Sequence, residues 1–499
     1  MSVFLHEIIK ALTHAEVYGR VPAEAVSSIC ADSRKAGKND LFICIRGFVS
    51  DGHMYAEKAY EQGTRCFLVE QRLNLPADAC QIHVPDTKIA QAEAAAVFYG
   101  HPEQALDIIG LTGTKGKTTT ALFTQKILCD AGIPTGYIGT NGMTYGRHHI
   151  PTVNSTPDSL VLYKTLRDML NEGIRAVVME VSSQGLKLSR VHGLRFRVCA
   201  FTNLSPDHIG EHEHPDMEDY AACKRRLFTE YPHDLTVYNT DDAAAPYMTT
   251  HDTATLIGVT TRNHPHAAWS SPVMQRLVRG GIPGMEYACM HHGKTEKRMN
   301  FLPQPGEFNV KNALFAVAIA CDGFGVPVES ALTSLETATI PGRFETVISE
   351  KLPHVLFVID YAHNGVSMTS MLDLLQGYHP KRLVCLFGSV GDRTKERRRE
   401  LAEAAGPRAH MCILTSDNPG LEDPMSILKE IDHAFPEGSC PRVLIPDRKE
   451  AVAYAVKNAL PGDVILLAGK GHETYQLVGK EKLPYSEKDV LAALIDAVQ

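Results

Sequence analysis

Short apolar runs that end on glycine or a polar residue, each followed by a segment with apolar positions three and four apart, recur along this chain and predict alternating strands and helices. In the first hundred residues, 42–45 and 66–69 read as strands around a helix at 53–62, which makes a small α/β unit. His101-Pro102 stops the helix that closes this unit, and a first boundary falls there. Beyond it, apolar runs at 108–111, 176–179 and 198–202 lead into Gly113, Glu180 and Asn203, and a helix is expected at 219–228. The pattern weakens from 241 to 305, where His, Pro, Gly and Thr surround the single tryptophan, Trp269; a β-rich insertion is expected, without assigned strands. A helix follows from 310 to 324, and Pro341-Gly342-Arg343 marks the next boundary. The last third alternates again, with strands at 355–359, 383–387, 411–414 and 464–468, the pattern of a doubly wound domain. The expectation is an α/β protein of three domains, 1–100, 101–338 and 339–499.

One stretch carries specific chemistry. In 108–121, IIGLTGTKGKTTTA, the strand runs directly into Gly113, Thr114, Lys115, Gly116, Lys117, Thr118 and Thr119, and helical spacing resumes after them. The two glycines admit backbone conformations that a Cβ obstructs, so successive N–H groups can converge on phosphate oxygens at a helix N-terminus. Lys117 can neutralise the β- and γ-phosphates, and the Thr118 hydroxyl is placed to ligate Mg²⁺. The glycine that opens the common G-x-x-x-x-G-K-[ST] form falls here on Leu111, so this is a shorter variant of a nucleotide loop.

Composition narrows the class. With 499 residues, 44% hydrophobic and 22% charged, the chain can hold several separate cores. A net charge of −8 argues against general nucleic-acid binding, which needs many phosphate-neutralising cations. The 12 cysteines are scattered without a Cys-x-x-Cys pair, as in a reducing compartment, and a cytoplasmic location is expected. No apolar run approaches the ~20 residues of a membrane-spanning helix, and the N-terminus does not read as a signal peptide.

Other residues gain meaning from position. Glu180 ends a strand about sixty residues past the loop, where the acidic ligand of a nucleotide-bound Mg²⁺ commonly lies, with Ser182 and Ser183 just beyond. The stretch 203–214 is dense in metal-capable groups, but it lacks His-Glu-x-x-His, and Gly210 and Pro215 oppose the helix a zinc hydrolase needs. His208 is therefore read as one Mg²⁺ ligand, and His212 and His214 as loop surface. Lys224, on a helix beside Arg225 and Arg226, would by itself be a surface lysine. In the last third, 360–364, 391–393, 417–420 and 469–473 all follow strands, where ligands of open parallel sheets collect.

Taken in order, DSR at 32–34, TGTKGKTTT at 112–120, NSTPD at 154–158, MEVSSQG at 179–185, TNLSPDHI at 202–209, PGRFE at 341–345, DYAHN at 360–364, GDR at 391–393, DNP at 417–419 and GKGHE at 469–473 resemble the Mur ligases. The likeness is greatest to the members that add the third residue of the bacterial peptidoglycan stem. It implies an N-terminal uridine-nucleotide domain, a central ATPase with a mostly parallel sheet, and a C-terminal Rossmann-like domain. It also implies an ADP-forming reaction. ATP phosphorylates the free carboxylate of UDP-MurNAc-L-Ala-D-Glu, and a diamino acid displaces phosphate from the acyl phosphate.

The resemblance further assigns roles. Lys117, Glu180, His208 and Lys224 are the catalytic set; Thr118 and Glu180 would hold one of two Mg²⁺ ions, and His208 and Lys224 the other, Lys224 as the N6-carboxy derivative made with CO₂. ATP contacts are implied for 113–119 and for Asn312, Arg343 and Asp360. Contacts to the UDP-substrate are implied for Ser33, Asn154, Ser155, Thr156, Ser182 and Arg190, and contacts to the incoming amino acid for Arg393, Asp417, Asn418, Gly469 and Glu473. Members adding meso-diaminopimelate carry Asp-Asn-Pro-Arg, and Gly420 stands here in place of that arginine. L-lysine is therefore the favoured amino acid, with meso-diaminopimelate next and ornithine after it. The expected partners are these small molecules alone, with no nucleic acid, no membrane insertion and a monomeric state. A nucleotide-dependent switch without ligase activity is the alternative of a different class.

Overall fold

The computed structural model describes residues 2–498 apart from 48–49, 211–212, 266, 293 and 392–394, and of 294–298 only the backbone. Contacts divide the chain into two units: 1–272, 289–296 and 311–334 make the first, and 273–288, 297–310 and 335–499 the second.

The first unit opens with α1 (Leu5–Ala11), β1 (Glu16–Tyr18), β2 (Ser28–Cys30), β3 (Asp40–Ile43), α2 (Ala56–Glu61), β4 (Cys66–Val69), β5 (Cys80–His83) and α3 (Thr87–Phe98). Its sheet has the order β1-β5-β4-β3-β2, parallel except for β1. Leu41, Ile43, Leu68 and Ile82 pack with residues of α1 and α3, and Phe42, Phe67 and Val69 with residues of α2. Burial on both faces explains why these strands read as unbroken apolar runs. The helix expected at 53–62 begins as a 3-10 turn at Gly52–Tyr55, because Asp51 accepts the His53 N–H at 3.0 Å and tightens the entry.

The rest of this unit is β6 (Asp107–Thr112), α4 (Lys117–Asp130), β7 (Thr135–Gly139), β8 (Gly142–Tyr145), β9 (His148–Ile150), α5 (Ser159–Asn171), β10 (Ala176–Glu180), α6 (Ser183–Lys187), β11 (Phe196–Phe201), α7 (Met217–Thr229), β12 (His233–Asn239), α8 (Ala245–Thr249), β13 (Thr255–Thr260) and β14 (Trp269–Ser270). These strands lie in the order β9-β8-β7-β10-β6-β11-β12-β13-β14, parallel from β7 to β14 with a hairpin edge at β8 and β9. The register sets Glu180 beside Leu111 and Phe201 beside Thr112, so β10, β6 and β11 end level with one another. The loops that leave these three strands therefore share one edge of the sheet.

Strands do fill the weakly patterned region, through β13 and β14 and then β15 (Met274–Arg279), β16 (Ile282–His291) and β17 (Lys294–Leu302). β15 and β16 form a hairpin over Gly280-Gly281, whose positive φ angles of 60° and 83° suit a two-residue turn. Helix α9 (Glu307–Phe324) is buried on most of its circumference, which its alanine-rich sequence permits; α10 (Val328–Leu335) follows.

The second unit's sheet is built from β18 (Glu345–Val347), β19 (Leu356–Asp360), α11 (Gly365–Gln376), β20 (Arg382–Phe387), α12 (Glu396–Ala405), β21 (Met411–Leu414), α13 (Pro424–His433), β22 (Arg442–Leu444), α14 (Arg448–Lys457) and β23 (Asp463–Ala468), with β24 (Tyr475–Val478), β25 (Glu481–Pro484) and α15 (Glu487–Asp496) at the end. The order is β18-β19-β23-β20-β21-β22, parallel except for β18, with apolar clusters on both faces. The strands reach one polar residue beyond the apolar runs at Asp360, Arg382 and Asp463. Arg382 sits opposite Asp463 in register and bonds it at 3.0 Å. Among the described residues no helix is long and apolar enough to cross a membrane.

The second unit also buries an ion pair. Arg448 and Glu487, at the starts of α14 and α15, meet at 2.8 Å with both side chains 0% exposed, and Arg448 further donates to the carbonyls of Ser416 and Ala468. Truncating one member strands the other charge. Arg448→Ala is expected to lower unfolding free energy by about 3–5 kcal/mol, read by denaturant titration; a loss below about 1 kcal/mol, the level of an exposed pair, would contradict a role for the buried pair.

Candidate functional site

Gly113 and Gly116 hold φ of 144° and 86°, and a Cβ at either would come within 2.1 Å of Thr202 Oγ1 or 2.5 Å of Asn312 Oδ1. The backbone can thus turn between β6 and α4 only without side chains at these points. The loop is clamped from the end of β11. Thr202 Oγ1 donates to Lys115 O at 2.7 Å, Asn203 exchanges hydrogen bonds with the Lys115 backbone at 2.8 and 2.9 Å, and Thr114 N–H donates to Asn203 O at 2.8 Å.

Two lysines end on one carbonyl oxygen. Lys117 Nζ donates to Gly113 O at 2.7 Å and to Thr114 O at 3.0 Å, while Lys224 Nζ, from α7, donates to the same Gly113 O at 3.0 Å. Lys224 is 1% exposed. Burial first, and the neighbouring Lys117 charge second, hold its amine well below the usual lysine range. Its Nζ also lies 4.4 Å from the centre of the Tyr220 ring.

Glu180 is 1% exposed and fully engaged by donors. Its Oε1 accepts from Thr118 Oγ1 at 2.8 Å, Tyr137 OH at 2.7 Å and Thr140 N–H at 2.9 Å, and its Oε2 from Thr140 Oγ1 at 3.1 Å. These bonds replace the water that a buried carboxylate loses. Behind it, Thr156, Ser182 and Arg190 converge: Thr156 Oγ1 donates to Ser182 Oγ at 3.0 Å, and Arg190 Nη1 to Thr156 O at 2.8 Å. Asn154 is exposed and Ser155 half-buried, both on the segment leading to Thr156, and Ser33 is buried in the N-terminal part of the unit. Thr119 follows Thr118 on α4, and Thr120 Oγ1 contacts Asn312 Oδ1 at 3.4 Å.

Among the histidines, sequence reading met only part of the arrangement. His208 has a side chain 52% exposed, with Nδ1 2.9 Å from Glu213 Oε1 and its ring centre 6.1 Å from that of Tyr220. His214, expected on the loop surface, is instead 0% exposed between α6 and α7, because Ser183 and Asp219 offer partners to both ring nitrogens. His212 lies outside the described residues.

A second cluster lies in the second unit. Asp360 takes N–H bonds from Phe344 and Ala362, both at 2.8 Å, and burial raises its carboxyl pKa against the pull of those donors and of Arg343. The Arg343 guanidinium lies 5.5 Å from the Tyr361 ring centre. Lys470, wholly buried, donates to Asn418 Oδ1 at 3.0 Å, Glu473 Oε2 at 2.6 Å and Tyr475 O at 2.6 Å, and lies 3.8 Å from Asp417. Burial raises the Asp417 pKa, opposed by Arg448 and Lys470. Gly469 has a φ of 103°, and a Cβ there would stand 3.0 Å from the Asp417 carboxylate. Gly420 has a φ of 59° and exchanges backbone bonds with Leu477 and Gly479. Arg393 lies outside the described residues.

Three family models match the chain: the Mur ligase family catalytic domain over 25–110, the Mur ligase middle domain over 111–320 and the Mur ligase glutamate ligase domain over 342–471. The chain belongs to the Mur ligase family. It is similar to the UDP-N-acetylmuramoyl-L-alanyl-D-glutamate–2,6-diaminopimelate ligase of Caldanaerobacter subterraneus subsp. tengcongensis, 36% identical over 98% of each chain. The Geobacillus thermodenitrificans protein of the same name is 36% identical over 93% of this chain and 94% of its own. A solved structure of a ligase so named aligns over 100% of this chain and 99% of that one with a TM-score of 0.71 and 26% identity.

Mur ligase membership implies ATP and Mg²⁺, and the residues fit both. The glycine cradle leaves room that a Cβ would fill, and Thr118 with Glu180 is an all-oxygen donor pair suited to a hard cation. Sequence reading singled out Asn203 as a strand end, placed His214 on the loop surface, and missed Tyr137, Thr140 and Tyr220. Gly113→Ala is expected to weaken ADP binding about tenfold or more, in line with ~1–2 kcal/mol of left-handed strain and the displaced loop. Calorimetric titration checks it; unchanged affinity would refute the cradle.

Proposed function

We propose that this Mur ligase joins a 2,6-diamino acid to UDP-MurNAc-L-Ala-D-Glu, with meso-diaminopimelate the preferred amine. The observation that carries the reading is the shared edge where β6, β10 and β11 end, with the glycine loop, Glu180 and Lys224 side by side. The names of the similar proteins weigh toward the diaminopimelate alternative rather than the L-lysine preference. Gly420, which offers no side chain to a second carboxylate, is what keeps L-lysine as the second reading.

In this reading Lys117 would leave its loop carbonyls to meet the γ-phosphate, and 113–119 with Asn312 would hold the triphosphate; Arg343 and Asp360 are the further ATP contacts that the family resemblance implies. Thr118 and Glu180 would hold one Mg²⁺, and His208 and a carboxylated Lys224 the other; bound Mg²⁺ lowers the repulsion between the anionic carboxylate and ATP. Lys224 fits carboxylation because burial disfavours its charged form: the uncharged nitrogen would add to CO₂ and release one proton, leaving an anionic carbamate. Ser33, Asn154, Ser155, Thr156, Ser182 and Arg190 would hold the uridine and muramoyl-dipeptide parts. The dipeptide carboxylate takes the γ-phosphoryl group and ADP leaves. The amine, held by Arg393, Asp417, Asn418, Gly469 and Glu473, then attacks the acyl carbon, loses a proton and expels phosphate. The division at 1–100, 101–338 and 339–499 would separate uridine, ATP and amino-acid functions, and a cytoplasmic monomer suits soluble substrates.

Phosphate release measured with meso-diaminopimelate, L-lysine and L-ornithine in parallel is expected to be fastest with the first, and only with UDP-MurNAc-L-Ala-D-Glu present. A lysine preference would restore the second reading, and turnover without the peptide nucleotide would sink both. Lys117→Ala is expected to lower kcat about a hundredfold or more while leaving the circular dichroism spectrum unchanged. Lys224→Ala should be inactive and partly rescued by acetate or formate; absence of rescue would remove the carbamate.

A further inference from the structure

A chain of buried polar contacts runs from α6 to α7 through a loop residue outside the site assigned above. Asp219 Oδ2 lies 2.6 Å from His214 Nδ1, and His214 Nε2 lies 2.9 Å from Ser183 Oγ. The order Asp, His, Ser is that of hydrolytic triads, yet His214 is 0% and Ser183 3% exposed, which leaves an acyl group no access to the hydroxyl. Asp219, His214 and Cys223 also bring three metal-capable atoms within 4.8 Å of one another, but Lys187 Nζ already sits 2.8 Å from Asp219 Oδ2 and supplies the cation there. Neither chemistry suits the cluster.

What it does join is specific. Ser183 lies three residues past Glu180, Asp219 lies on the helix that carries Lys224, and His214 ends the loop that carries His208. The His214 ring packs edge-on against Tyr220 at 5.2 Å, and Tyr220 in turn bonds Thr114 of the phosphate loop at 3.2 Å and faces Lys224 Nζ. Arg226 adds a bond from α7 to Leu186 O at 2.8 Å, and Lys187 binds Asp219 from the other side. These two further ties between α6 and α7 involve long, half-exposed side chains; the imidazole is the rigid one.

We infer that His214 is a positioning residue for Mg²⁺ and nucleotide: held by Ser183 and Asp219, it fixes the spacing between the β10 end, the His208 loop and the Lys224 helix. The inference rests on the ligase reading above for the identity of the ligands it serves. Loss of a supporting partner behind a metal ligand typically weakens affinity about 10–100-fold.

Two variants separate support from packing. His214→Phe keeps the ring against Tyr220 and removes both hydrogen bonds, and His214→Gln restores hydrogen-bonding capacity. The expected result is that His214→Phe raises the Mg²⁺ concentration for half-maximal ligation about tenfold, changes kcat at saturating Mg²⁺ less than that, and weakens Mg²⁺-dependent ADP binding by calorimetry to the same degree, with His214→Gln recovering most of both. Unchanged Mg²⁺ dependence, or Gln and Phe variants that behave alike, would overturn it. If His214→Phe does not fold, Ser183→Ala removes one end of the chain and should shift Mg²⁺-dependent ADP binding in the same direction; no shift counts against the inference. Wild-type protein that binds Mg²⁺ and ADP but makes no amide would instead defeat the ligase reading, and the binding comparison would still test His214.

Discussion

The Gly113 carbonyl accepts from Lys117 and from Lys224 at once, and burial, with the Lys117 charge beside it, holds the Lys224 amine well below the usual lysine range. Two ammonium groups on one oxygen in a buried site would repel strongly. Burial of Lys224 eases the conflict by disfavouring its charged form. The same burial favours the uncharged, nucleophilic form of the amine, which is what links the geometry of the loop to the carbamate chemistry proposed for the ligase.

That arrangement depends on the level ending of three strands. Pairing of Glu180 with Leu111 and of Phe201 with Thr112 brings the glycine loop, the caged carboxylate and the Thr202-Asn203 clamp to one edge. A shift of one residue in β10 would send Glu180 to the opposite face of the sheet, away from Thr118. The apolar residues of β6, β10 and β11 therefore act on function through register.

How much of this was legible in the sequence depends on which signals are local. Gly-Lys-Thr after an apolar run is a local signal, so the loop and the strand-end acid could be found, as could the doubly wound pattern of the last third. Tyr137, Thr140 and Tyr220 could not, because a tyrosine or threonine that contacts a carboxylate far along the chain is written no differently from one in a core or turn. Lys224 could be assigned only by resemblance: its burial comes from the loop packed against α7, which helical spacing does not reveal. His214 was misplaced for the same reason. A histidine between acidic residues and a proline reads as solvent-facing until Ser183, on another element, arrives to bond it.

Position 420 shows how backbone and chemistry can pull apart. Its φ of 59° lies where glycine is at ease, and its N–H and carbonyl are both tied to the β24–β25 hairpin. A side chain there would carry roughly 1–2 kcal/mol of left-handed strain, about what a single charge-assisted hydrogen bond returns. An arginine that paired a substrate carboxylate could offset that strain when substrate is bound, whereas glycine avoids it in the free protein. The absence of arginine is therefore a weak argument against a dicarboxylic substrate: it removes one favourable contact and one unfavourable conformation of similar size. Backbone energetics thus favour neither amine at this position, and the relatives' names are what weigh toward meso-diaminopimelate over the L-lysine that Gly420 first suggested.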